Sequence, residues 1–181
     1  MKKTLWAFGT REVVFAAIGA ALYGVLSYAT NLLQIPGAGN VSLRPAVAIP
    51  MFFGVAFGPI VGFLSGAIGN ILSDLLSGYG FWPWWDLGNG LMALVPGLIY
   101  LSIKDFRSWG DLLKAEGMVI LGVVLGMGIA SLSEIWVSGI DLATAISLNF
   151  VPAFITNVIN GLILVPILMV AYSAIVARSG R

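Results

Sequence analysis

From residue 12 to residue 176 the chain is a succession of long apolar runs, interrupted only by short clusters of Gly, Pro and charged residues. A hydrocarbon core of roughly 30 Å is crossed by about 20 apolar residues in a helix. The 181 residues therefore hold about six spanning helices with short loops, and nothing is left for a separate soluble domain. The runs place helices over 12–33, 43–57, 59–76, 86–103, 115–137 and 143–176. The second is short for a span. The last is longer than one; Pro152 and Pro166 are points where it can kink, and its first turns have room to lie along the interface. The expected fold is an all-α integral membrane protein, a six-transmembrane-helix bundle forming one domain over 1–181.

Composition narrows the chemistry. The chain is 59% hydrophobic and 9% charged, with a mean hydropathy of +1.00, far outside the range of soluble domains. It has no cysteine and no histidine. That removes disulfides, thiol nucleophiles, imidazole bases and the usual zinc or haem ligands, so no metal, no cofactor and no enzymatic activity are expected. A net charge of +1 without any basic run excludes a nucleic-acid partner. The opening "MKKTLW" resembles the start of a signal peptide, but Arg11 and Glu12 interrupt it and the apolar run 13–30 is long enough to span, so it is read as a retained first helix.

Charge sets the orientation. With both termini cytoplasmic, Lys2, Lys3, Arg11, Lys104, Arg107, Lys114, Arg178 and Arg181 lie inside and Arg44 alone outside, so eight of the nine basic residues obey the positive-inside rule. The outer loops are then the Gly- and aromatic-rich ones, including "FWPWWDLGNG" at 81–90.

In that orientation the polar residues collect in the outer half. Asn70, Ser73 and Asp74 end helix three, Asp86 and Asn89 open helix four, Ser131, Ser133 and Glu134 end helix five, and Thr156, Asn157 and Asn160 lie early in helix six. The inner halves, such as "VILGVVLGMG" and "LILVPILMV", are dry. A pore or proton relay needs polar groups through the full depth, so the pattern points to a pocket open outward and closed beneath. Asn70 and Asp74 are i,i+4, and Asp86 and Asn89, like Asn157 and Asn160, are i,i+3, so each pair can share a helical face. Hydration at loop ends would also account for Asp74 and Asp86, N-capping of helix four for Asp86, and interhelical bonding for the asparagines.

Glu134, a turn inside an apolar helix, asks for a ligand or a buried donor. Trp82, Trp84 and Trp85 suit the aromatic belt at the headgroups, yet successive residues cannot all face one way. At least one is expected to turn inward and stack on a flat ligand, with Tyr79 and Trp136 as further candidates. Helix one carries Ala16 and Ala20, and Ala17 and Ala21, spaced by four, a small-residue stripe that lets another helix approach closely, inside the bundle or from a partner. Gly62, Gly66, Gly69, Gly122 and Gly126 are read as internal packing.

The turn in "AFGPIVGFLSGAIGNILSDLL", the stripe on helix one, and an outer aromatic loop leading into "DLGNGLMALVPGLIY" resemble the substrate-binding S components of energy-coupling factor (ECF) transporters, over nearly the whole chain. The segments "FGPIVGFLSGAIGN" and "WPWW" look most similar to the riboflavin-type members. The resemblance implies a multi-pass protein of the inner (plasma) membrane of a prokaryotic cell and tight capture of a vitamin from outside, then docking on a transmembrane coupling subunit driven by two cytoplasmic ATPases. It assigns the docking face to Ala16, Ala17, Ala20 and Ala21. Riboflavin suits a pocket of indoles, amides and carboxylates, as do thiamine, its pyrimidine precursor and queuosine precursors. The absence of a nucleotide-binding motif agrees with energy supplied by a partner. With Arg44 the lone outer cation against Asp74, Asp86, Glu134 and Asp141, the ligand is expected to be neutral or cationic. A self-sufficient secondary transporter is the rival from another class; "NGL" occurs at Asn89 and again at Asn160, without a wider repeat.

Overall fold

The computed structural model describes residues 4–30 and 43–178, and every regular element among them is helical. α1 runs Thr10–Thr30, α2 Ala48–Phe57 after a single 3-10 turn at Pro45–Val47, α3 Pro59–Leu76, α4 Pro83–Gly97 and α5 Trp109–Val137. The last segment is one continuous helical run made of α6 (Leu142–Thr144), a π-helical stretch (Ala145–Phe150) and α7 (Val151–Arg178).

Six helical segments therefore stand where six were expected, but only some have the length of a span. Four are long and apolar enough to cross a membrane: α1, α3, α5 and the run Leu142–Arg178. α2 has ten residues, which rise about 15 Å, half the hydrocarbon thickness. It is apolar all round and buried from Ala48 to Ala56 save for half-buried Ile49, as a helix at the centre of a bundle must be. Gly58 separates it from α3 at a φ of 111°, a conformation that L side chains rarely adopt.

The largest boundary differences from the sequence expectation are at the end of helix four and the start of helix five. Helix four does not continue to Ile103. Pro96 donates no N–H to the ladder, and the next amides close shorter turns, Leu98 N to Val95 O and Tyr100 N to Gly97 O. Helix five begins at Trp109 instead of Ala115, because Ser108 caps it by accepting from the Asp111 amide at 3.2 Å. The hydrophilic first turns conceal that start from an apolar-run reading.

Glycine sets how closely the helices meet. A Cβ at Gly62 would strike the Ala93 carbonyl, one at Gly66 the Asn89 carbonyl, and Gly88 and Gly126 each face the other's carbonyl across α4 and α5. On the α1–α3 seam, a Cβ at Gly69 would lie 2.6 Å from the Tyr23 ring and 2.9 Å from the Ala20 carbonyl. The glycines read as packing surfaces do pack internally. Ala16 and Ala20 belong to this seam too, 5% and 2% exposed, whereas Ala17 and Ala21 lie on the exposed side of α1. The four alanines thus form two faces of the helix.

Candidate functional site

The C-terminal half of α3 and the first turns of α4 meet at the same end of the bundle, and Asn70 joins them. Its side chain is 1% exposed. Asn70 Nδ2 donates to Asp74 Oδ2 at 2.8 Å, one turn further along α3, and to Asp86 Oδ1 at 2.8 Å on α4. Asn70 Oδ1 accepts from Arg44 Nη1 at 2.9 Å. Carboxylates on one side and a guanidinium on the other leave the amide one workable orientation. The i,i+4 pair expected from sequence, Asn70 and Asp74, is bonded as its spacing allows.

Asp86 is no N-cap: Trp82 holds that position without a side-chain bond, and Asp86 lies within the first turn, 4% exposed. Asp74, 8% exposed and inside α3, is not a hydrated loop residue either.

Two positions of α4 one turn apart, Trp85 and Asn89, reach two other helices. Trp85, half-buried against the core, donates from Nε1 to Glu134 Oε1 of α5 at 2.7 Å, and the other oxygen of Glu134 accepts from the Ser138 hydroxyl. Asn89 accepts at Oδ1 from the Tyr23 hydroxyl of α1 at 2.7 Å and donates from Nδ2 to the Trp85 carbonyl at 2.9 Å. Asp86 and Asn89 therefore take separate partners instead of working as one face. One turn of α4 is bonded to α1, α3 and α5 together, which positions an indole and two carboxylates at a single level of the bundle.

Other expected residues lie elsewhere. Trp84 is 38% exposed and stands edge-on to the exposed Trp136, with ring centroids 5.5 Å apart; Tyr79 is exposed at the rim. The inward tryptophan is Trp85, with Trp84 outside. Asn157 and Asn160 are buried on α7, but no hydrogen bond joins them to the cluster among the described residues, and Gly161 beside them packs on Met51 and Val119 in the core. Asp141 is exposed; the hydroxyl and amide of Thr144 hold its carboxyl below the usual range, so it caps α6 and stays outside the cluster.

Tyr23 is the residue that the sequence reading missed. Its signal was available: it continues the buried stripe Ala16, Gly19, Ala20 at helical spacing, as the one large side chain in a line of small ones.

Over residues 7–174, a range that includes every residue of this cluster, the chain matches a family model described as "ECF-type riboflavin transporter, S component". The chain belongs to that family. The relatives of this S component include a UPF0397 protein of Vibrio atlanticus, 39% identical over 126 residues, 67% of this chain and 68% of the relative. A UPF0397 protein of Streptococcus pneumoniae is 30% identical over 177 residues, 96% of this chain and 95% of the relative. One from Aliivibrio salmonicida reaches 44% over 123 residues, 65% of this chain and 66% of its own length. S components are transport proteins, not enzymes: they bind small vitamins and work with a coupling subunit and ATPases. Four apolar helices of spanning length agree with a multi-pass membrane protein.

Proposed function

We propose that this S component captures a small heteroaromatic vitamin, with riboflavin the favoured ligand, at the polar end of the bundle and from the outside of the cell. The observation that carries the reading is hydrogen-bonding capacity left over on several helices. Asp86 Oδ2 on α4, Ser131 Oγ on α5 and Asn160 Nδ2 on α7 are buried without a hydrogen-bond partner in the protein among the described residues. Buried polar groups are rarely left unmatched, and one of these, Asp86 Oδ2, belongs to the residue next to the inward Trp85. An acceptor-rich site with Arg44 already engaged by Asn70 suits a neutral or cationic ring system. The family description supports riboflavin within that class. The basic residues of the opposite end support an inside location for that end, where the coupling subunit and ATPases would receive the loaded protein.

Tryptophan fluorescence of the purified protein, titrated with riboflavin, thiamine, hydroxymethylpyrimidine, biotin, pantothenate and a queuosine precursor, tests this directly. Saturable quenching by riboflavin at submicromolar concentration is expected. Trp85→Phe removes the donor to Glu134 and should weaken binding by about ten- to a hundredfold, a loss of roughly 1–3 kcal/mol. Saturation by thiamine or the pyrimidine alone would reassign the ligand; no saturable response to any compound would overturn the vitamin site.

The exposed side of α1 leads to a second expectation. Ala17 and Ala21 lie there with Val14, Ile18 and Val25, available to a partner, while Ala16 and Ala20 are committed to α3. Ala17→Leu with Ala21→Leu should leave vitamin binding by the isolated protein intact and abolish uptake by the complete transporter. Normal uptake would remove the docking face from this side of α1.

A further inference from the structure

The end of the bundle opposite the acidic cluster contains a cavity of about 500 Å³ between the start of α1, the end of α2, the turns after α4 and the end of α7. That volume lies within the range of small-molecule sites. Its walls include the aromatic side chains of Tyr100, Phe106 and Tyr172, and its charged lining is Arg11, Lys104 and Asp105. The aromatic wall is built: Tyr172 stands edge-on to Phe106 at 5.4 Å, Phe57 at 5.6 Å and Phe52 at 5.7 Å between centroids.

Neither cation is paired with a carboxylate at ion-pair distance among the described residues. The Arg11 guanidinium sits 5.3 Å from the Phe15 ring centroid. The backbone of the other cation is pinned, because Asp111 Oδ2 accepts from the amides of Lys104 at 2.9 Å and Asp105 at 3.0 Å. Among the described residues the ion pair of the fold is Lys114 with Asp111, at 2.7 Å, so neither Arg11 nor Lys104 is matched by a carboxylate. Asp105 Oδ1 is engaged by the Arg107 amide at 2.9 Å. Two cations, one a guanidinium shaped for bidentate phosphate contact, face the cavity against the single carboxylate of Asp105, which leaves its lining net positive.

Its level in the bilayer is marked independently. Trp6, Phe8 and Trp109, which are 57%, 61% and 74% exposed, lie at the same end of the bundle, and exposed aromatic residues of this kind settle at the headgroup layer. Basic pockets between helices at that level bind anionic headgroups.

We propose that this cavity binds a phosphate group, presented by an anionic phospholipid of the surrounding leaflet. The inference is independent of the vitamin site at the other end.

Native mass spectrometry of the full chain, released from detergent after incubation with dioleoyl phosphatidylglycerol, dioleoyl phosphatidylcholine or inorganic phosphate, tests it. One phosphatidylglycerol should be retained, in preference to phosphatidylcholine, and excess inorganic phosphate should not displace it. Arg11→Gln with Lys104→Gln should weaken retention about thirtyfold, the attraction of a basic side chain for an anionic headgroup layer lost twice. Arg107→Gln, a basic residue of the same end outside the cavity, should retain the lipid as the native chain does. If the double variant does not fold, Lys104→Gln alone, on an exposed side chain, is expected to weaken retention about fivefold. Equal retention of phosphatidylcholine, unchanged retention in the variants, or an equal loss in Arg107→Gln would overturn the site. Displacement by inorganic phosphate would overturn the lipid as its source.

Discussion

Asn70→Leu is expected to destabilise the bundle by about 3 kcal/mol or more and to abolish vitamin capture in the same step. Leucine removes three hydrogen bonds at once, those from Asn70 Nδ2 to Asp74 and Asp86 and that from Arg44 to Asn70 Oδ1. Each buried group left without its partner costs about 1–3 kcal/mol, and more when it is charged. The two carboxylates are 8% and 4% exposed and cannot turn to water without moving their helices. Thermal unfolding followed by intrinsic fluorescence should show a midpoint lower by roughly 6–12 °C for a chain of this size. If the damage arises from the stranded carboxylates, adding Asp74→Asn and Asp86→Asn to Asn70→Leu should restore part of the stability, a coupling that a packing defect would not show. A native midpoint in the single variant would mean that Asn70 does not hold the two helices together.

Gly126→Leu should leave no folded protein to measure. A Cβ at Gly126 would run into the Gly88 carbonyl and lie 2.9 Å from both the backbone nitrogen and the Cβ of Met92. These atoms belong to the α4 backbone or are fixed to it, so the helices must separate to make room; overpacking a formed core costs about 1–3 kcal/mol even where side chains can yield. Separation would also break the Trp85–Glu134 bond at 2.7 Å, which requires α4 and α5 at their present distance. Gly128→Leu on the same helix is the control: nothing lies within 4 Å of its Cβ position, so it should purify as the native chain does, with a similar midpoint. Monodisperse yield in detergent separates the outcomes. A well-folded Gly126→Leu would show that α4 and α5 are not locked by this contact.

The proposed vitamin site, the docking side of α1 and the lipid cavity occupy different parts of the fold, so their tests fail separately. Trp85→Phe reports on the acidic end, Ala17→Leu with Ala21→Leu on an exposed helix face, and Arg11→Gln with Lys104→Gln on the basic end. A bundle with one dry helix, α2, surrounded by its neighbours can carry distinct sites at its two ends, since the polar groups of each end are separated by Met51, Val55, Val119 and Val123, all fully buried.

What the sequence determined by itself was the number and order of the helical segments and the contacts made within one helix. Apolar runs gave the helices, because a backbone in hydrocarbon must satisfy its own hydrogen bonds. The clustering of Asn70, Asp74, Asp86, Asn89 and Glu134 followed from their places near connected helix ends, and the Asn70–Asp74 bond from the i,i+4 rule, which is geometry within one helix. The tertiary structure alone decided which way each helix is turned about its axis. Rotation is set by where backbones touch, at Gly66 on Asn89 and at Gly88 on Gly126, and no spacing rule carries that information across two helices. Hence Trp85 faces inward and Trp84 outward, Asn89 bonds to Tyr23 instead of acting with Asp86, and Ala16 and Ala20 are enclosed while Ala17 and Ala21 stay exposed.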